Sequence, residues 1–224
     1  MIYVVGDVAK EDLELVMKTV DMYNKDRKGI AVDIILVGSK EISVEDRKVL
    51  RASGVSYDDI EDALEYTVEM LDKRLEGKLI GGREILGDDG YHKVVLFTFN
   101  MIGKYRKLTL IESVVHEMAH SLQEDFYKSW ALKLFGYLGS WAEKEARAES
   151  IKFMKKHRRE IVELVGSDKW KLARKERFVK VTKVVQCTVI RLYGIVNQYA
   201  EMLETLKSKI EKESYKIGIE WRDQ

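Results

Sequence analysis

His116, Glu117 and His120 form the pattern H-E-x-x-H, in a stretch whose apolar spacing predicts a helix. Two imidazoles four residues apart share one helix face, so both can reach a single metal ion. Glu117 lies about 100° round the helix from His116, beside the metal position, where its carboxylate can take a proton from a bound water. This donor set points to Zn²⁺ and hydrolysis. A catalytic zinc usually keeps three protein ligands and one open position for water, so one ligand is still to be found.

Downstream of His120 the candidates are Glu124, Asp125, Glu143, Glu145 and Glu149. Glu124 and Asp125 follow on what reads as the same helix, about a turn further along, where neither closes a good tetrahedron. The carboxylates of the next helix can approach from the opposite side. Glu145 and Glu149 are four apart and share a face, so one can bind the metal while the other accepts the N–H of a bound imidazole. Glu143 sits about 200° from Glu145 round the helix, so both cannot point at the metal. Ala148 favours the register with Glu145, and Ala146 offers the competing register with Glu143, each alanine permitting close helix approach. Glu145 is the favoured ligand, ahead of Glu143 and then Glu149.

The elements that must position these residues follow from periodicity. Ile2 to Val5, Val32 to Val37 and Lys93 to Phe99 read as strands. Lys10 to Asn24, Ser43 to Leu50 and Tyr57 to Leu75 read as helices between them. Gly77, Gly81, Gly82 and the run Gly87-Asp88-Asp89-Gly90 read as turns ahead of the third strand. Thr109 and Glu112 predict a capping box opening the motif helix, which then runs to about Tyr127. After an apolar stretch from Trp130 to Trp141, interrupted by Gly136 and Gly139, the chain reads as helical from Ala142 to Val165. One or two long helices follow, to about Ser214.

With H-E-x-x-H followed on a later helix by Glu145-Ala146-Arg147-Ala148-Glu149, the chain resembles the gluzincin type of zinc metallopeptidase. It is similar above all to the CAAX-prenyl-protease-like branch and its small soluble relatives, and next to the soluble repressor-cleaving peptidases of mobile elements. The likeness covers about Lys93 to Phe153. It implies an α+β, zincin-like fold: a small sheet with an edge strand beside the motif helix, then a mostly helical C-terminal part. It further implies His116, His120 and Glu145 as zinc ligands, Glu117 as general base, and a peptide or protein substrate that adds to the edge strand, for which Lys93 to Phe99 is in the right place. Glu149 stands where the membrane-associated branch usually has Asp, and that branch's membrane helices are missing. The metzincin continuation fails, since Gln123 and Phe126 stand where glycine and a third histidine belong.

Composition sets the outer bounds. Of the 224 residues 46% are apolar and 34% charged, which describes a globular chain rather than a disordered one. A net charge of +1 demands neither nucleic acid nor an anionic surface. The lone Cys187 cannot make an internal disulfide, which suits a reducing cytoplasm. Residues 1–7 do not read as a signal peptide, and no run of about eighteen apolar residues suggests a membrane span. Proline is absent, which suits long helices. A division at 165/166 separates the metallopeptidase-like part (1–165) from a helical extension (166–224).

Some features are not absorbed by the metal site. The Trp130 to Trp141 stretch reads as a helix hairpin packed on the core, or else a lid or membrane-touching loop. His92 and His157 read as structural or surface residues, and Tyr127 and Tyr137 as core or surface residues that could also serve as oxyanion donors. The basic run from Lys169 to Lys183, with Trp170 and Phe178, reads as a solvated face that could also meet nucleic acid or an anionic membrane. Leu203, Leu206 and Ile210 mark an amphipathic tail that could pack on the core, pair with a second copy or hold a partner. Three functions follow from these readings: a zinc peptidase, a catalytically silent zinc-stabilised interaction protein, and a nucleic-acid- or membrane-surface-binding module in which the motif is incidental.

Overall fold

The computed structural model describes residues 1–27, 32–72, 81–101, 105–166 and 179–216. Alternation of β-branched runs with helical periods produces β1 (Ile2–Val5), α1 (Lys10–Arg27), β2 (Asp33–Val37), α2 (Val44–Ser53) and α3 (Tyr57–Asp72). A hairpin follows, β3 (Gly82–Leu86) and β4 (His92–Phe97), turning through Gly87 to Gly90. Gly90 takes φ 78°, a conformation open to glycine and costly for most other residues. The sheet order is β1-β2-β4-β3, with β3 antiparallel to β4 and the other pairs parallel. The class is therefore α+β, a small mixed sheet in a mostly helical chain.

Both faces of this sheet are covered. Ile34, Leu36, Val94 and Leu96 face α1 together with α4 (Arg106–His120) and α6 (Trp141–Lys156), through Val16, Tyr23, Ile111, Val115 and Phe153. Ile35, Val37, Val95 and Phe97 face α2 and α3 through Leu50, Ile60 and Ala63. The expected edge strand at Lys93 to Phe99 is corrected here. β4 is paired on both sides, as its near-continuous apolar run Val94 to Phe97 requires, and residues 98–100 form a single 3-10 turn. The edge strand beside β4 is β3, β1 being the other edge, and β3 lies among residues that read as turns in sequence because Gly82, Arg83 and Glu84 carry little β signal.

The motif helix α4 also differs at both ends. It begins at Arg106, so Thr109 lies in its first turn and donates its hydroxyl to the Tyr105 carbonyl at 3.2 Å instead of capping. It ends at His120, and a tight turn leads into α5 (Asp125–Gly139). Val114, Val115 and Met118 are fully buried on the sheet side, each stabilising the docking by about 1.5–3 kcal/mol. α5 folds back on α6 as a helix hairpin, kinking at Gly136 (φ 68°, ψ 169°). α7 (Arg158–Val165) and the long α8 (Val179–Lys216) are the last of the described elements. α8 packs on α5 and α6 through Ile190, while Gln186 accepts from the Trp141 N–H at 2.7 Å and donates to the Gly139 carbonyl at 2.9 Å.

Candidate metal centre

Two helices build the site. α4 presents His116 and His120 one above the other, with ring centroids 4.8 Å apart. α6 crosses it closely because Ala142 and Ala146 are fully buried and small. Ser140 caps α6, its hydroxyl accepting the Glu143 N–H at 3.3 Å, and this sets Glu143 in the first turn facing the imidazoles.

The two Nε2 atoms and the Glu143 carboxylate converge. His116 Nε2 lies 3.1 Å from His120 Nε2 and 3.3 Å from Glu143 Oε2, and His120 Nε2 lies 3.2 Å from Glu143 Oε1. Ligands on a tetrahedral zinc at about 2.0–2.1 Å are separated by about 3.3 Å. The side chains thus stand at nearly the spacing that a shared zinc would impose. Glu143 Oε2 is buried and accepts no hydrogen bond. A buried carboxylate oxygen left unsatisfied is costly, and a metal ion between these groups would remove that cost. The residues present therefore fit a His-His-Glu zinc site.

The structure does not bring the ligand expected on the later helix, Glu145, to the imidazoles. His116 and His120 meet Glu143, whereas Glu145 accepts from Gln123 Nε2 at 3.2 Å and pairs with Lys183 at 3.5 Å. Glu149 pairs with Arg27 of α1 at 2.5 Å. Helical phase explains the outcome: Ala146, Ser150, Phe153 and Met154 are the buried face of α6, and Glu143 lies on that face. That same phase was readable in the sequence, and it would have singled out Glu143.

A second residue escaped the sequence reading. Gln123, in the turn after α4, places its Oε1 2.8 Å from His120 Nδ1 and its Nε2 2.9 Å from the Ala142 carbonyl. With the amide so held, Nδ1–H donates to Gln123 and the lone pair of Nε2 faces Glu143. The role expected of a second glutamate thus belongs to Gln123.

Glu117 is nearly enclosed, 8% exposed, and burial raises its pKa, with the flanking imidazoles acting in the opposite sense. The β3 backbone closes over it: a Cβ added to Gly82 would lie 2.9 Å from Glu117 Cγ and 2.8 Å from the Val95 carbonyl oxygen. Burial opposes ionisation of Glu143, but the neighbouring imidazoles outweigh it and hold its carboxyl down at about 2. Burial likewise pulls His120 down, and Glu143 and Glu117 more than offset this, so its pKa rises.

Tyr137 follows the kink at Gly136. Although 57% of the residue is exposed, enclosure of its hydroxyl end and then the charges of Glu143 and Glu117 raise its pKa. The other tyrosine candidate, Tyr127, accepts from Arg191 Nε at 2.8 Å and so is engaged by α8.

Glu84, His92 and Asp125 form a second gathering of ligand-type side chains. Lys128 fills it, its ammonium 3.0 Å from Glu84 and 2.9 Å from Asp125, while His92 contacts both carboxylates. His157, expected at the surface, is instead largely covered, 2.9 Å from Asp26 of α1 and stacked near Phe153. Most of the basic run from Lys169 to Lys183 lies outside the described residues. Among the described residues no helix is long and apolar enough to cross a membrane. No protein-family model, curated protein or solved structure matches the chain.

Proposed function

We propose that the protein is a zinc metallopeptidase in which His116, His120 and Glu143 hold the metal and Glu117 is the general base. The observation that carries this reading is the convergence of three ligand side chains, the two imidazole Nε2 atoms 3.1 Å apart and each within 3.3 Å of one Glu143 oxygen, with a buried carboxylate beside them. A zinc ion held there would supply Lewis acidity and a water whose pKa is lowered to about 7. Glu117, its proton affinity already raised by burial, would be the group that takes the proton of that water and returns it to the leaving amine. The Tyr137 hydroxyl, kept protonated by the carboxylates around it, donates to the oxygen that gains charge. Among the described residues β3 pairs only with β4, which leaves an edge beside Glu117 for an extended peptide to join by backbone hydrogen bonds.

The test is zinc-dependent cleavage of a mixed peptide library, followed by mass spectrometry. Glu117→Gln is expected to keep its zinc and lose turnover by about 10²–10⁴-fold. Cleavage that persists in this variant, or after chelation, would contradict the reading.

A further inference from the structure

We propose that α8 pairs with the α8 of a second copy of this chain in a parallel, in-register, two-stranded coiled coil. The helix runs 38 residues, yet among its described residues only Gln186 and Ile190 are buried against the rest of the molecule. Every residue from Gln198 to Lys209 is exposed. From Ile195 to Lys216 the helix extends about 33 Å, and helices in proteins owe most of their stability to packing of an apolar face.

Its exposed apolar residues are not scattered. Val185, Val189, Leu192, Val196, Tyr199, Leu203 and Leu206 alternate at spacings of four and three, and all are 40–62% exposed. This is an unbroken heptad seam with Val189, Val196 and Leu203 at a and Val185, Leu192, Tyr199 and Leu206 at d. The sequence spacing continues to Ile210. β-Branched residues at a with leucine at d favour two parallel strands, a rule that Val189, Val196, Leu192 and Leu206 follow.

Position on the helix agrees. Gln186 and Ile190 face the body, and the seam lies on roughly the opposite side of α8. Two bodies can therefore sit at the same end of a parallel pair, each outside its own helix. Joining two seams would bury on the order of 1,600 Å², the size of a standard stable interface. From Val196 to Lys216 the charges argue against a lipid surface, since Lys207, Lys209, Lys212 and Lys216 are balanced by Glu201, Glu204, Glu211 and Glu213 instead of forming a cationic face.

The experiment is sedimentation equilibrium on the full-length protein from 1 to about 100 μM, with three further arms. The expected mass is twice 26.0 kDa. Val196→Glu combined with Leu203→Glu should raise the dimer dissociation constant by about 100-fold or more. Intrinsic tryptophan fluorescence and urea unfolding of that variant should show the body still folded. In a Cys187→Ser background, Leu206→Cys should form an interchain disulfide under mild oxidation, because residue 206 meets its own copy only in a parallel register. A monomer at every concentration overturns the proposal, as does a dimer indifferent to the double substitution. A dimer that fails to cross-link at 206 overturns the parallel register. A monomer captured by vesicles of anionic phospholipid through the same seam assigns the face to membrane and likewise overturns it.

Discussion

Two clusters on opposite flanks of α4's C-terminus use the same chemistry and end differently. Glu84, His92 and Asp125 enclose an ammonium, that of Lys128, so their charges are neutralised from within the chain. His116, His120 and Glu143 enclose nothing comparable: their ligand atoms face one another and Glu143 Oε2 is left without a hydrogen bond. Proximity of histidine and carboxylates therefore does not by itself mark a metal site. What separates the two clusters is whether a lysine of the chain already occupies the centre.

The contrast can be broken from the Lys128 side. Lys128→Met strands the largely buried Glu84 and should cost about 3 kcal/mol in metal-free urea unfolding, most of it from Glu84 because Asp125 is half exposed. Added zinc should then recover part of that loss, since the three ligand-type groups are left facing an emptied position. An unchanged urea midpoint would show that the ammonium is not what satisfies this cluster.

The metal-centre side offers a smaller effect. Gln123→Leu removes the acceptor of the His120 Nδ1–H and should weaken zinc binding by about 10–100-fold in competition with a chromogenic chelator. Glu145→Gln touches only Gln123 and Lys183 and should change it by less than about threefold. Equal losses in the two variants would contradict the assignment of their roles.

What could be read in the sequence divides along the same line. His116, Glu117 and His120 are legible because their chemistry depends on spacing within one helix. β1, β2 and β4 are legible because strands buried on both faces are written as apolar runs. β3 is not, because an edge strand pressed against α4 needs Gly82 for close approach more than it needs β-branched residues. The third ligand depends on the phase of α6 against α4, a tertiary property. Glu143 and Glu145 look alike until the buried stripe of Ala146, Ser150 and Phe153 is used to set that phase. Gln123 was hidden for a related reason: reading α4 as continuous to Tyr127 left no turn from which it could reach back.

The pH dependence of metal-free stability follows the groups of the metal centre. Glu143, ordinarily near 4.5 and held at about 2, contributes stability present above 4.5 and lost as pH falls toward 2. His120 and Glu117 are raised, so their contributions are full below 6.5 and 4.5 respectively and are lost as pH rises through their folded values. The metal-free protein should therefore melt lower at pH 8 than at pH 6, while the increment in melting temperature from zinc grows over the same range as His120 gives up its proton. Calorimetry with and without zinc checks both signs, and parallel pH trends in the two forms would contradict the account.

A different kind of effect is expected at the kink. Gly136→Ala meets no neighbour within 4 Å but must hold φ 68° with ψ 169°, a region essentially restricted to glycine, costing about 1–3 kcal/mol in urea unfolding. By displacing Tyr137 it should lower turnover while leaving zinc content unchanged.

Zinc stoichiometry tests the central claim most directly, by elemental analysis of the full chain after dialysis, in the wild type and in Glu143→Gln and Glu145→Gln. The account predicts about one zinc per chain in the wild type and in Glu145→Gln, and far less in Glu143→Gln. A wild type that neither retains nor takes up zinc would contradict it, as would a Glu143→Gln variant that binds zinc as fully as the wild type.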